Sequence, residues 1–130
     1  MKQKEAPVTL PNSKNVILLL HNPKCSKSRA ALELLRERGI EAVVRLYLED
    51  PLDQEELEEL GRRLGRSPIE FTRPKQPEFK QAGLSRSSSD EAILAAMVTS
   101  PILMERPILV RDERAAIGRP PEDILRLLED

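Results

Sequence analysis

The chain has 130 residues, enough to bury one core and too few for two. Charged residues make up 33% and sum to a net charge of -1, so no global field draws the protein to nucleic acid or to an anionic membrane. Aromatics are 2%, with no Trp, which argues against a base-stacking platform and requires an aliphatic core. The single cysteine excludes an internal disulfide and favours a reducing, cytoplasmic setting.

Met1 to Lys14 is polar, with two prolines and no apolar stretch before a cleavage site. It reads as a loose lead-in to one domain over 15–130, and not as a secretory signal. The longest apolar run, Val16 to Leu20, is far short of a membrane span.

Asn15 to Leu20 has the unbroken apolar character of a strand buried on both faces, ending at His21, Asn22 and Pro23. Ser26 or Ser28 can cap the helix that follows, with Ala31, Leu32 and Leu35 on one face and Gly39 as its stop. Ala42 to Leu48 is a second strand, completing a βαβ unit with a right-handed crossover.

Asp53 and Glu56 are spaced as a capping pair for a helix with Leu57, Leu60 and Leu64 on one face, closed by Gly65. After a break at Ser67 and Pro68, a short segment over 75–82 stops at Gly83. Ser88 with Glu91 caps a further helix carrying Ile93, Leu94 and Met97. These segments form a helical insert. Ile108 to Val110 and Ala115 to Ile117 pair as a hairpin across the charged turn Arg111 to Arg114. Pro120 and Pro121 open a last helix with Ile124, Leu127 and Leu128 inward. The expected fold is α/β: βαβ, helices, ββα, on a mixed sheet.

Cys25 falls between a buried strand and the first turn of a helix, where free N–H groups and the helix dipole favour an anion. Lys24, Lys27 and Arg29 add local positive charge, and His21 is near in sequence, so the thiol is expected to be a low-pKa nucleophile. The competing reading is a buried structural thiol; the polar, basic flanks favour the nucleophile. A tyrosine-phosphatase loop would need Arg where Ala31 stands, and a Walker loop would need glycines before Lys27 and Ser28. Ser28 also stands where a Cys-x-x-Cys motif would have its second cysteine, so an external thiol such as glutathione must resolve any adduct. Ser28 can serve as a cap or as a hydrogen bond to the thiolate. His21, the only histidine, is either a polar edge residue or a group that tunes Cys25; alone it argues against a metal site.

The run His21-Asn-Pro-Lys-Cys-Ser-Lys-Ser-Arg29 resembles the active-site loop of the ArsC-type arsenate reductases, His-Asn-Pro-x-Cys-x-x-Ser-Arg. Tyr47-Leu-Glu49 with Pro51, Arg73 before a short helix ending at Gly83, Leu103 to Val110 with its Arg106-Pro107, and Gly118-Arg-Pro120 match further motifs in order. The likeness covers nearly everything after Asn15. Ser26-Lys27, where well-characterised members carry Gly-Thr, and Ala116-Ile-Gly-Arg-Pro-Pro121 make the chain similar to a sister branch of ArsC-like oxidoreductases.

The resemblance implies a thioredoxin-like fold with a helical insert and Cys25 as catalytic nucleophile. It assigns His21 and Ser28 to thiolate stabilisation, Arg73, Arg106 and Arg119 to oxyanion binding, and a cis peptide to Pro107. Planar guanidinium forks suit a tetrahedral oxyanion such as arsenate. It further implies a monomer with no bound cofactor or metal, whose external reductants are glutathione and glutaredoxin. Two other classes stay open: a glutathione-coupled reductase of another substrate, and a non-enzymatic Spx-like regulator that binds RNA polymerase. Retention of all three arginines and the lack of Cys-x-x-Cys weigh against the regulator.

Overall fold

A computed structural model describes residues 10–129. Four strands form one mixed sheet in the order β2-β1-β3-β4: β1 (Ile17–His21), β2 (Val43–Leu46), β3 (Ile108–Arg111) and β4 (Arg114–Ile117). β1 runs parallel to β2 and antiparallel to β3, and β3 is antiparallel to β4. The helix α1 (Ser26–Glu37) joins β1 to β2, as parallel neighbours require. Between β2 and β3 lie α2 (Gln54–Leu64), α3 (Pro77–Gln81) and α4 (Asp90–Thr99), with 3-10 helices at Pro68–Phe71 and Pro101–Leu103. This is the expected α/β architecture with its helical insert.

The alternation of β1 explains its unbroken apolar run. Leu18 and Leu20 face a core with Leu57, Leu60, Phe71, Ile93 and Met97 of the insert side. Leu19 faces the other core, with Ala31 and Leu35 of α1 and with Ile124 and Leu127. Both faces are covered, as the sequence indicates. β2 is shorter than its apolar run because Glu49 and Asp50 both donate to the Leu46 carbonyl, at 2.9 and 2.8 Å, turning the chain there. Lying at the sheet edge, it leaves Val43 and Val44 exposed.

Several boundaries differ from expectation for local reasons. Neither Ser26 nor Ser28 caps α1: the N-cap is Cys25, which makes no side-chain cap bond, and Ser28 lies buried inside the first turn. α4 is capped by Ser89, one residue beyond Ser88, through the Ala92 N–H at 3.1 Å. The hairpin turn is only Asp112 and Glu113, since Arg111 pairs with Arg114 and Asp112 takes a φ of 59°. The last element, Pro121–Leu128, is a 3-10 helix, which the three-residue spacing of inward Ile124 and Leu127 suits. α2 agrees closely: Asp53 and Glu56 make a reciprocal capping box and Gly65 is left-handed at its end.

Residues 1–9 of the expected lead-in lie outside the described residues. Leu10 and Pro11 are not loose. Leu10 is buried in the core, and Arg63 of α2 donates to the Pro11 carbonyl at 2.6 Å and to the Leu10 carbonyl at 3.3 Å.

Candidate active site

Strand register brings four chain segments to one end of the sheet. His21 ends β1 opposite Leu46 of β2, so Asn22 and Tyr47 leave the sheet side by side. Leu20 pairs with Ile108, and Ile108 with Ile117. Arg106-Pro107 therefore enters where β1 leaves, and Gly118-Arg119 leaves beside it. Arg73 comes from the insert. The antiparallel bridge between Thr72 and Met104, with the Arg73 N–H on the Leu103 carbonyl at 2.7 Å and the Glu105 N–H on the Phe71 carbonyl at 2.9 Å, fixes the Arg73 backbone beside Leu103.

Cys25 is partly exposed at the N-terminus of α1, in a loop tied to itself by backbone and side chains. The Cys25 N–H donates to the Asn22 carbonyl at 3.0 Å, and the Lys24 N–H to Asn22 Oδ1 at 3.0 Å. The buried Ser28 hydroxyl accepts from the Asn22 N–H at 3.0 Å and lies 2.8 Å from His21 Nδ1. Arg29 Nη1 donates to the Pro23 carbonyl at 2.9 Å. Ser28 thus staples the end of β1 to the first turn of α1, which sets the Cys25 backbone between them.

Burial opposes ionisation of the thiol, but the N–H groups of Ser28 and Lys27 and the Arg106 guanidinium outweigh it and hold the Cys25 pKa below its ordinary value. The helix N–H groups read from sequence lower the thiol pKa, but the side-chain cation is not one of the loop's own basic residues. Lys27 acts through its backbone, and the principal side-chain cation comes from the distant segment before β3. Burial, with Arg36 and Arg29, lowers the His21 pKa and keeps that ring neutral near pH 7.

The three arginines gather at this end with Glu105 among them. Glu105 Oε1 lies 4.0 Å from Arg73 Nη1 and 3.7 Å from Arg119 Nε. Arg119 Nη1 donates to the Arg106 carbonyl at 3.1 Å. Six buried side-chain polar atoms of the described residues lack hydrogen-bond partners, and four of these are donors: Arg106 Nε and Nη1, Arg73 Nη1 and the Tyr47 hydroxyl. All belong to residues within electrostatic reach of Cys25. Unpaired buried donors are costly. Clustered around one thiol, they leave donor capacity that an anion's oxygens would satisfy.

The arrangement brings Cys25, Arg73 and Arg106 together directly. His21 and Ser28 stand behind the loop, and Arg119 braces Arg106 and Glu105 from the far side. The Arg106-Pro107 peptide is cis, as the motif implies, and so is Arg119-Pro120. Sequence reasoning missed Glu105, whose adjacency to Arg106 was its only signal. It also missed the placement of Tyr47, and Gly118, where a Cβ would lie 2.9 Å from Pro107 Cγ. Among the described residues no group of three or more His, Cys, Asp or Glu could hold a metal ion, and no helix is long and apolar enough to cross a membrane.

Sheet order, insert and site together define a thioredoxin-like α/β domain with one free thiol at a helix N-terminus, opposed by arginines. The family model described as "ArsC family" matches residues 20–127, and the chain belongs to that family. It is 48% identical over 114 residues to a protein of Escherichia coli K12 described as uncharacterized protein YfgD, covering 86% of this chain and 96% of that one. It is 45% identical over 114 residues to an arsenate reductase of Neisseria meningitidis serogroup B, covering 86% and 97%. Among solved structures, an arsenate reductase from Vibrio cholerae superposes with a TM-score of 0.83 at 42% identity, covering 89% of this chain and 99% of that one.

Proposed function

We propose that this protein is a glutathione- and glutaredoxin-coupled arsenate reductase in which Cys25 attacks the oxyanion. The observation that carries the reading is the set of unpaired buried donors on Arg73, Arg106 and Tyr47 beside a thiol of depressed pKa. Relatives described as arsenate reductases support the choice of oxyanion. Arg73 and Arg106 hold it directly, and Arg119, anchored on the Arg106 carbonyl, completes the oxyanion-binding set. His21 and Ser28 serve the thiolate by holding the loop that aims the Ser28 and Lys27 N–H groups at the sulfur.

The Cys25 thiolate attacks arsenic(V), forming an S–As bond while one oxygen leaves as water after protonation. Guanidinium groups offset the charge that collects on the remaining oxygens. A glutathione thiolate then attacks the Cys25 sulfur, the S–As bond breaks, and its electron pair stays on arsenic, which leaves as arsenite. The product on the protein is a Cys25–glutathione mixed disulfide, because this chain has no second cysteine to resolve it. A second glutathione, through glutaredoxin, returns the thiolate and releases glutathione disulfide. Arsenate and two glutathiones thus give arsenite, glutathione disulfide and water, and the balance closes on thiols alone. Such a cycle belongs in a reducing cytoplasm.

The test follows arsenate-dependent NADPH oxidation with glutathione, glutaredoxin and glutathione reductase. A rate lost in Cys25→Ser and in Arg106→Ala supports the proposal. No rate despite a reactive Cys25 would withdraw arsenate and leave a glutathione-coupled reductase of another substrate.

A further inference from the structure

Tyr47 is the only tyrosine of the chain, and its side chain is 1% exposed. It stands one residue past Leu46, which pairs with His21, so its backbone begins beside the loop that carries Cys25. Its hydroxyl is fully buried and has no hydrogen-bond partner of proper geometry, although the Asn22 amide lies beside it. Phe would fill the same space without burying a phenolic O–H, so the fold alone does not account for a hydroxyl at this position.

What surrounds the hydroxyl defines its role. The charged groups that act on it are Arg106, Cys25 and Arg73. Two of these, Arg73 and Arg106, themselves present unpaired buried N–H groups. The forces that chiefly set the Cys25 ionisation come from burial, from the Ser28 and Lys27 backbones and from Arg106. The hydroxyl therefore stands with the unpaired donors that would meet an anion's oxygens.

We propose that the Tyr47 hydroxyl donates a hydrogen bond to the oxyanion held by Arg73 and Arg106, as a further substrate-binding residue of this site. Burial pushes its pKa up to about 12, so the group keeps its proton at neutral pH and remains a donor. An uncharged donor adds binding geometry without adding charge, so it favours a tetrahedral oxyanion over a bare halide. The proposal rests on the oxyanion reading of the site, and not on the redox steps that follow binding.

The experiment is protection of Cys25 from iodoacetamide by arsenate and by inorganic phosphate, in the wild-type chain and in Tyr47→Phe. Loss of a hydrogen bond to a charged group is expected to raise the protecting concentration of both anions by roughly ten-fold or more. The pH profile of alkylation without anion should stay in place. Protection at wild-type concentrations in Tyr47→Phe overturns the proposal, as does a displaced alkylation profile with protection unchanged, which would give the hydroxyl to the thiolate. Failure of either anion to protect the wild-type chain overturns the oxyanion site and Tyr47's role together. If the reductase assay fails while protection and its Tyr47→Phe defect persist, only the redox reading falls. A fluorotyrosine-labelled wild-type chain, carrying one label, covers the case in which Tyr47→Phe does not fold: its fluorine resonance should move when arsenate or phosphate is added, and a resonance that both leave unmoved counts against the proposal.

Discussion

The Arg119 guanidinium donates from Nη1 to the backbone carbonyl of Arg106 at 3.1 Å, so one arginine of the site fixes the chain path of another. That contact depends on Gly118, whose N–H donates to the Pro107 carbonyl at 2.8 Å. A Cβ there would lie 2.9 Å from Pro107 Cγ and 3.0 Å from Ile124 Cγ2. Gly118→Ala is therefore expected to cost about 1–3 kcal/mol in a urea titration, the usual cost of overpacking. It should also weaken oxyanion protection of Cys25 by moving Arg106 and Arg119 apart.

Thiolate stabilisation by Arg106 gives a second expectation. Burial works against the Cys25 thiolate, and the Ser28 and Lys27 N–H groups with Arg106 overcome it. Removing the guanidinium in Arg106→Ala should move the pH profile of iodoacetamide alkylation upward, toward an ordinary thiol. Lys24→Ala should move it much less, because the principal cation acting on the thiol is Arg106. Equal shifts in the two variants would mean that loop charge governs the thiol.

His21 makes stability depend on pH in a defined direction. Its folded pKa lies below the ordinary imidazole value, so the unfolded chain binds the proton more tightly. Stability is then retained above about 6.5 and falls as pH drops through and below that value. It is the only histidine, so urea titrations between roughly pH 7.5 and 5.5, run in Cys25→Ser to remove the thiol, follow its protonation. A flat midpoint across that range would contradict the assignment. Ser28→Ala, which takes a partner from His21 Nδ1 and from the Asn22 N–H, should cost about 1–3 kcal/mol.

A buried ion pair holds α2 to the edge strand. Arg45 donates to both oxygens of Glu56, at 2.8 and 3.1 Å, and to the carbonyls of Asp50 and Pro51, at 3.0 and 2.8 Å. The Glu56 side chain is 2% exposed and that of Arg45 12%. Glu56→Ala removes both the pair and half of the capping box, and should destabilise by about 3–5 kcal/mol. A loss under about 1 kcal/mol, the scale of an exposed pair, would show that the contact does not persist in solution.

Short-range signals carried much of this architecture. The apolar run through Leu18, Leu19 and Leu20, the Asp53 and Glu56 spacing, and the prolines around β3 are local, and each produces the element expected of it. Shifts of one residue arose where two similar groups compete, as at Ser88 and Ser89. The long-range features were illegible. Arg45 reads as a charged strand residue until the fold lays α2 across it, and Glu105 reads as one more acid until Arg73 and Arg119 arrive on either side. The arginines could be nominated only by ordered motifs. Register then explains why residues as far apart as Cys25, Tyr47, Arg73 and Arg106 meet at one end of the sheet.

The most direct test of the central claim, that Cys25 attacks arsenate, is mass spectrometry of the reduced protein incubated with arsenate and glutathione without glutaredoxin, followed by peptide mapping. One glutathione per chain, on Cys25, formed only when arsenate is present, is the result the account requires. A thiol that alkylates readily yet gains no glutathione, or gains it equally without arsenate, would contradict it.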